Sequence, residues 1–88
     1  MKKEIKSKAL RRLKIIEGQI RGLGQMVENE KYCVDIITQT SAVRKALSSI
    51  EDLILENHLS THVVHQMQHG DKVKPVKEIL KIYRLKSK

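Results

Sequence analysis

The amino-acid sequence predicts an all-α protein of three helices, of which the first two are long and form an antiparallel hairpin. Apolar residues recur every three or four positions along most of the chain, which is the helical period. The segment between Cys33 and His58 contains neither Gly nor Pro, and Pro75 is the only proline. Two long helices joined by a short link leave an apolar seam exposed, so we expect two hairpins to pair as a four-helix bundle.

The first helix is predicted over about residues 4–28, ahead of a short break at Asn29-Glu30-Lys31. Gly18 and Gly22 lie inside it, where each Gly costs about 1 kcal/mol relative to Ala. Their spacing of four puts both on one side of the helix, so we expect close helix packing there. The apolar stripe of this helix consists of Leu10, Leu13, Ile16, Ile20, Leu23 and Val27.

The second helix is predicted over about residues 32–68 and the third over about residues 73–85. Between them, His69-Gly70-Asp71 is a stop signal, because Gly is favoured just after the last helical residue. Pro75 fits the first turn of the third helix, where its missing N–H is not needed. No repeat or low-complexity segment divides the chain, so residues 1–88 are expected to form one domain. The stripe of the second helix consists of Ile36, Thr40, Val43, Leu47, Ile50 and Ile54.

Length and composition bound the class of protein. A chain of 88 residues with a single cysteine has a small core and no internal disulfide, so association of copies is the common remedy. The chain shows no signal-peptide core and no apolar run of membrane-spanning length, and one unpaired cysteine fits a reducing compartment. We therefore expect a cytoplasmic protein. A small helical enzyme would need charged residues facing a bundle cavity, whereas the inward positions here are aliphatic, so we expect no enzyme.

The formal net charge of +8 favours an anionic partner. The first helix carries only three acids, Glu4, Glu17 and Glu28, which cannot pair with all of its Lys and Arg. A solvated helix face is the simplest interpretation of a charge run. The size of the excess favours binding to the phosphates of double-stranded DNA, although no helix-turn-helix is present. The residues expected to contact DNA are Arg11, Arg12, Lys14, Arg21, Arg44 and Lys45.

Cys33 and the histidines of the second helix form a candidate metal site. His58 and His62 are four apart, so they share one helical face and can bind one ion together. Cys33 lies 25 positions before His58, which is roughly 38 Å along a helix. The thiol and the imidazoles can therefore meet only between antiparallel copies. Without such a site, Cys33 would be a small buried apolar residue and His58 a polar residue at the bundle edge.

His65 and His69 continue the histidine series. They could raise the coordination number of the same site. Alternatively they are solvated near the helix end, where a positive imidazolium suits the helix dipole. The second interpretation is favoured for His69, and both stay open for His65.

Several short motifs together resemble the copper-sensing operon repressor (CsoR) family, which also includes nickel/cobalt, formaldehyde and persulfide sensors. They are Arg12-Leu13, Ile16-Glu17-Gly18-Gln19-Ile20-Arg21-Gly22, Met26-Val27-Glu28, Tyr32-Cys33, Asp35, Gln39, Ala42-Val43-Arg44 and His58-Leu59. The resemblance covers nearly the whole chain. It implies an all-α dimer that pairs into a tetramer, represses transcription by binding operator DNA, and releases the DNA on binding metal.

The resemblance also implies roles for individual residues. The metal ligands of the family fall on Cys33 of one protomer with His58 and His62 of another. Tyr32 and Glu78 match outer residues that contact the ligating His, and such partners fix ligand orientation. Arg12 matches the family's phosphate-contacting Arg.

The choice of metal depends on position 62. Copper sensors often have Cys there, and a soft thiolate favours Cu(I), but a Cys/His/His set also accepts Ni(II), Co(II) or Zn(II). The run from His58 to Gln66 is similar to that of nickel/cobalt sensors, whose N-terminal His is missing here. We expect a Cu(I)-responsive repressor. The alternatives are a nickel/cobalt-responsive repressor or a metal-independent helical DNA-binding protein.

Overall fold

A computed structural model describes residues 1–87, and all regular structure within them is helical. Helix α1 spans Lys3–Glu28 and α2 spans Cys33–His58. A π-helical turn, Leu59–Val63, continues into the short helix α3, Val64–Gln68, and α4 spans Val73–Lys86. The all-α class is confirmed. The expected helix over 32–68 exists as one continuous helical segment, but its hydrogen bonding changes after His58.

The hairpin turn between α1 and α2 is a Schellman motif. Lys31 N–H donates to the carbonyl of Met26 at 2.9 Å, and Glu30 N–H donates to the carbonyl of Val27 at 3.0 Å. Glu30 has φ of 49°, which is the left-handed region that favours Gly. The break predicted at residues 29–31 is therefore a tight turn in which a glutamate occupies the glycine position.

The turn between α3 and α4 uses the same motif with the preferred residue. Gly70 has φ of 88°, and Asp71 N–H donates to the carbonyl of Gln66 at 3.0 Å. Asp71 Oδ1 then accepts from Lys74 N–H at 3.3 Å and so supports the first turn of α4. Pro75 lies in this turn and is fully buried. The predicted stop at Gly70 and the position of Pro75 are both confirmed.

The core of the hairpin uses only part of each predicted stripe. Ala9 and Ile16 of α1 pack with Val43 and Ile50 of α2, and Leu23, Ala46 and Leu53 border them. Leu10, Leu13, Ile20, Val27, Leu47 and Ile54 are exposed. The reason is geometric: Leu13, Ile20 and Val27 are each four positions beyond a core residue of α1, which rotates them by roughly 40° past the line that α2 covers.

The close packing expected at Gly18 and Gly22 does not occur within the chain. A Cβ at Gly22 would have no neighbour within 4 Å. One at Gly18 would approach only the end of the Arg21 side chain, at 3.7 Å. These glycines therefore leave open space on the hairpin rather than a contact between its two helices.

The two Schellman turns predict opposite effects of substitution. Gly70→Ala should lower the free energy of unfolding by about 1–2 kcal/mol, because an L-residue is strained at positive φ. Glu30→Gly should leave stability unchanged or raise it, because it removes the same strain at the other turn. Urea unfolding at one fixed protein concentration measures both. Gly70→Asn is the control and should be destabilised less than Gly70→Ala, since Asn tolerates this conformation; equal destabilisation would contradict the argument.

Candidate metal centre and nucleic-acid face

His58 and His62 lie together at the end of α2. Their ring centroids are 5.2 Å apart and their planes are inclined by 25°. His58 is half-buried, and His62, inside the π-helical turn, is exposed. The structure thus brings together the two histidines that sequence spacing predicted to share one face.

The π-helical turn between these histidines was not predicted. Val64 N–H donates to the carbonyl of Leu59, five residues back, as a π turn requires. The Ser60 and Thr61 hydroxyls both donate to the carbonyl of Asn57, at 3.1 and 2.7 Å. Hydroxyls that bond the carbonyl three or four residues back compete with the helical ladder. Adjacent Ser60 and Thr61 were the only signal in the sequence.

Hydrogen bonds assign the tautomers of both imidazoles. Thr61 Oγ1 donates its single hydrogen to the carbonyl of Asn57, so His62 Nδ1–H must donate to Thr61 Oγ1, at 3.1 Å. His58 Nε2 lies 3.3 Å from Glu78 Oε2 and donates to that carboxylate. The free lone pairs are therefore on Nε2 of His62 and Nδ1 of His58, and both can ligate a metal.

Tyr32 and Glu78 were both expected to contact the ligating His. Within the chain, only Glu78 contacts His58. Glu78 is half-buried on α4, against the end of α2. Tyr32 precedes α2 at its other end and is 70% exposed. Since α2 separates them by roughly 38 Å, Tyr32 and His58 do not meet within one chain.

Cys33 is a free, exposed thiol on the first residue of α2. Within a single chain this thiol is therefore not buried. Among residues 1–87 no group of three or more His, Cys, Asp or Glu side chains is arranged to hold a metal ion.

Cys33 and His58 nevertheless lie on the same side of α2. Their 25 positions correspond to about seven helical turns less 20°, so both side chains leave the helix in nearly the same direction. Leu47 and Ile54 lie on that side as well and are exposed. Because both helices are right-handed and antiparallel, residues rotated past the core line in this sense lie on one face of the hairpin, whereas Ile15 and Val34 are exposed elsewhere. We call this the apolar face: Leu10, Leu13, Ile20, Val27, Cys33, Leu47, Ile54 and His58.

His65 and His69 form a second pair, on α3 and just after it. Their ring centroids are 4.2 Å apart, and both residues are exposed. His69 Nδ1 lies 2.9 Å from the carbonyl of His65, so that its Nδ1–H donates to the backbone. This bond at the helix end fits the solvated interpretation of His69.

The six residues expected to contact DNA do not share one face of the hairpin. Arg12 and Lys8 are rotated from the core line by roughly 60° and 100° in the sense opposite to the apolar face, and Arg11 and Lys45 by roughly 160° in that sense. Lys14, Arg21 and Arg44 lie on the outer edges, rotated by roughly 100–140° in the sense of the apolar face. Arg12 is half-buried and its Nη1 donates to Ser49 Oγ of α2 at 3.4 Å. We call Lys8, Arg11, Arg12 and Lys45 the basic face.

One of the outer arginines is already paired with an acid. Arg21 Nη1 lies 2.9 Å from Glu17 Oε1, with both side chains 68% exposed. An exposed pair one helical turn apart contributes little to stability, but it offsets the charge of Arg21. Arg21 is therefore less available to an anion than the residues of the basic face.

Helix α4 runs back along α2, and contacts of Lys86 hold its C-terminal end against α2. Lys86 Nζ lies 3.0 Å from Asp52 Oδ1 and 3.4 Å from Glu51 Oε1, and it donates to Ser48 Oγ at 3.2 Å. The hydrogen bond to Asp52, with a smaller one to Glu51, raises the pKa of Lys86 above its ordinary value of 10.5. Glu78 against His58 is the second polar contact of α4.

No helix in the part of the chain that the structure describes is both long and apolar enough to cross a membrane.

Comparisons with known proteins agree on one family. The family model described as "Metal-sensitive transcriptional repressor" matches residues 5–84. The copper-sensing transcriptional repressor CsoR of Bacillus subtilis is 40% identical over 79 residues, which are 90% of this chain and 78% of that protein. The copper-sensing transcriptional repressor RicR of Mycobacterium tuberculosis is 45% identical over 60 residues, 68% of this chain and 62% of that protein.

A solved structure shares the fold over the full chain. The crystal structure of the copper-sensing repressor CsoR with Cu(I) from Geobacillus thermodenitrificans has a TM-score of 0.90 with this chain at 34% identity. The match covers 100% of this chain and 92% of that one. The hairpin and its following helices are therefore those of a known repressor fold.

The Lys86 contacts predict a pH-dependent contribution to stability. Because the folded-state pKa is raised, this contribution is complete below the unfolded pKa and is lost as pH rises through the folded pKa. Lys86→Gln should therefore lower Tm near pH 8, and its difference from the wild type should shrink as the pH is raised above the ordinary lysine pKa of 10.5. Thermal unfolding followed by circular dichroism measures the difference. Lys81→Gln, at an exposed position of the same helix, is the control. A difference in Tm between Lys86→Gln and the wild type that does not change with pH would contradict a contribution from the Lys86 ion pairs.

Proposed function

Since this chain belongs to the family of metal-sensitive transcriptional repressors, we propose that it represses transcription in the metal-free state and releases operator DNA on binding Cu(I) at a site shared between two copies. The family consists of repressors, not enzymes, in line with the expectation from sequence. Copper is proposed because both relatives are named copper-sensing and the matched crystal structure contains Cu(I).

The observation that carries the proposal is the apolar face. A small protein that exposes a contiguous apolar surface normally covers it with a partner. A second copy packed antiparallel on this face, with its twofold axis near Lys45 and Ala46, would bring Cys33 of one chain opposite His58 of the other, because these residues are equally far from that point. The four-helix bundle and the shared metal site are then one assembly, and a dimer of such dimers is the proposed tetramer.

The donor set fits Cu(I). Cys33 would supply a thiolate, and the other chain would supply Nδ1 of His58 and Nε2 of His62, the two nitrogens left free by the local hydrogen bonds. A soft thiolate with two imidazoles suits Cu(I) in three coordination. When bound, the ion supplies a link between the chains at each end of the dimer.

The DNA contacts are proposed to come from the basic face of each hairpin. In a face-to-face dimer this surface stays outside, because it lies on the opposite side of the core line from the apolar face. Arg11, Arg12 and Lys45 would neutralise phosphates, and the long flat assembly would present several such faces to one operator.

We propose that the release of DNA depends on a rearrangement at the end of α2. Glu78 holds His58 through Nε2, so rotation of His58 towards a metal pulls on α4, while His62 can turn only if the π-helical turn adjusts. To switch a promoter, metal binding must favour the DNA-free form by about 1–3 kcal/mol. Tyr32 of the other chain would then lie near His58 as an outer hydrogen-bonding partner, since it adjoins Cys33.

Position 62 supports a second candidate, a nickel/cobalt-responsive repressor. Imidazole is a harder ligand than thiolate, and His65 follows one turn later on α3. Operator-release titrations under anaerobic, reducing conditions with Cu(I), Ni(II), Co(II) and Zn(II) test the choice. Release by Cu(I) alone supports the leading proposal. Release by Ni(II) or Co(II) alone favours the second candidate, and release by none leaves a metal-independent DNA-binding protein.

A mixing experiment tests whether the site is shared. Cys33→Ala and His58→Ala should each abolish the metal response while keeping operator binding. Co-refolding the two variants in equal amounts should restore about a quarter of the wild-type metal sites, because half of the dimers then pair an intact Cys33 with an intact His58 at one of two sites. Competition with a Cu(I) chelator counts these sites. Each variant refolded alone is the control, and a mixture without recovered sites would contradict a site between chains.

The salt dependence of DNA binding tests the basic face. Arg11→Gln and Lys45→Gln should each reduce the slope of log K against log salt by about one for every phosphate that the side chain neutralises. Lys14→Gln, on the outer edge of the same hairpin, is the matched control and should change the slope less. Fluorescence anisotropy with operator DNA at several salt concentrations gives the slopes. A larger decrease in slope for Lys14→Gln than for Arg11→Gln and Lys45→Gln would contradict the basic face and would instead indicate that DNA contacts the outer edges of the hairpin.

A further inference from the structure

Asn57 is the one buried polar residue among residues 1–87, with 5% of its surface exposed. It directly precedes His58 and faces the beginning of α1. Its side-chain Oδ1 accepts a hydrogen bond from Lys2 N–H at 3.2 Å, across 55 positions of sequence. Its backbone carbonyl accepts the hydroxyls of Ser60 and Thr61. One residue therefore bonds both to the start of α1 and to the π-helical turn.

The bond to Lys2 replaces a cap that α1 does not supply for itself. Lys2 is the N-cap residue of α1, and no side chain of that helix caps its first turn. The third helical residue is Ile5, so the Glu or Gln that would return a hydrogen bond to the N-cap N–H is missing. A buried amide without a partner is costly, so Asn57 and Lys2 hold each other in place.

We propose that Asn57 is a positioning residue that couples the histidine pair to the first turn of α1. This inference rests on the proposed function. Turning His62 towards a metal changes the π-helical turn, and the Ser60 and Thr61 hydroxyls then move relative to the carbonyl of Asn57. The side chain of Asn57 shifts with its backbone, which weakens or removes the cap on the first turn of α1. Lys8, Arg11 and Arg12 of the basic face follow on that helix.

A purely structural role for Asn57 predicts something different. The affinities for operator DNA with and without metal would then fall together, and their ratio would stay constant. A coupling role predicts that this ratio changes while the affinity for Cu(I) does not.

Asn57→Leu removes the acceptor and keeps the approximate volume. The ratio of metal-free to Cu(I)-loaded operator affinity should fall about fivefold or more, with the Cu(I) affinity measured by chelator competition unchanged within about twofold. Asn57→Asp keeps the acceptor oxygen and should retain most of the wild-type ratio. In the metal-free protein, amide hydrogen exchange at Ile5 and Lys6 should be faster in Asn57→Leu than in the wild type. Glu56→Ala, at the exposed neighbouring position, is the control.

Substitutions at Lys2 test the same bond from the other side, should Asn57→Leu fail to fold. Lys2 has φ of −62° and ψ of 142°, which proline adopts without strain. Lys2→Pro removes the N–H, whereas Lys2→Ala removes only the side-chain charge. Both are made with a Gly-Ser extension before Met1, so that position 2 keeps a peptide nitrogen, and the wild type carries the same extension. Lys2→Pro should lower the affinity ratio as Asn57→Leu does, and Lys2→Ala should not.

The outcomes separate this inference from the proposed function. A wild-type protein that ignores Cu(I) overturns both. A wild-type protein that responds, together with unchanged ratios in Asn57→Leu and Lys2→Pro, overturns the inference alone. A fall in Cu(I) affinity as large as the fall in the ratio also overturns it, because Asn57 would then act on the metal site itself.

Discussion

The apolar stripes of α1 and α2 are wider than a single hairpin can cover. One antiparallel neighbour buries Ala9 and Ile16 of α1 and Val43 and Ile50 of α2, while the residues rotated slightly past that line stay in water. A small domain is only marginally stable, and covering this face would add to its stability. The physical ground for the proposed second copy is therefore packing, before any metal is considered.

The same geometry determines where chemistry can occur. Cys33 and His58 lie at the two ends of the exposed face, and antiparallel pairing is the arrangement that brings opposite ends together. The basic face lies on the other side of the core line, so covering the apolar face would leave the basic face available. Helix α4 is anchored by the buried Pro75 and by two polar contacts, Glu78 with His58 and Lys86 with Glu51 and Asp52. Polar contacts rearrange more readily than an aliphatic core, which suits the proposed response of α4 to His58.

Sequence reasoning predicted the features that depend on local chemistry. The helical period, the Gly70 stop and the place of Pro75 follow from the residues themselves, as does the proximity of His58 and His62. It did not predict which edge of each apolar stripe packs against the other helix. That choice depends on a rotation of about 40° about the helix axis, which the helical period alone leaves undetermined. It also missed the π-helical turn, for which adjacent Ser60 and Thr61 were the only signal, and the hydrogen bond between Asn57 and Lys2. That bond joins residues 55 positions apart, whose relative positions are defined only once α1 and α2 have packed.

The π-helical turn also limits the length of the proposed bundle. A π turn contains about one more residue than an α turn, so residues after Val63 are rotated by roughly 100° from where an uninterrupted α2 would place them. In the proposed bundle, an antiparallel neighbour would follow the apolar line of α2 as far as the π-helical turn, beyond which the line leaves the seam. The turn would thus limit the length of helix available for pairing, and it would end that length at the pair of histidines.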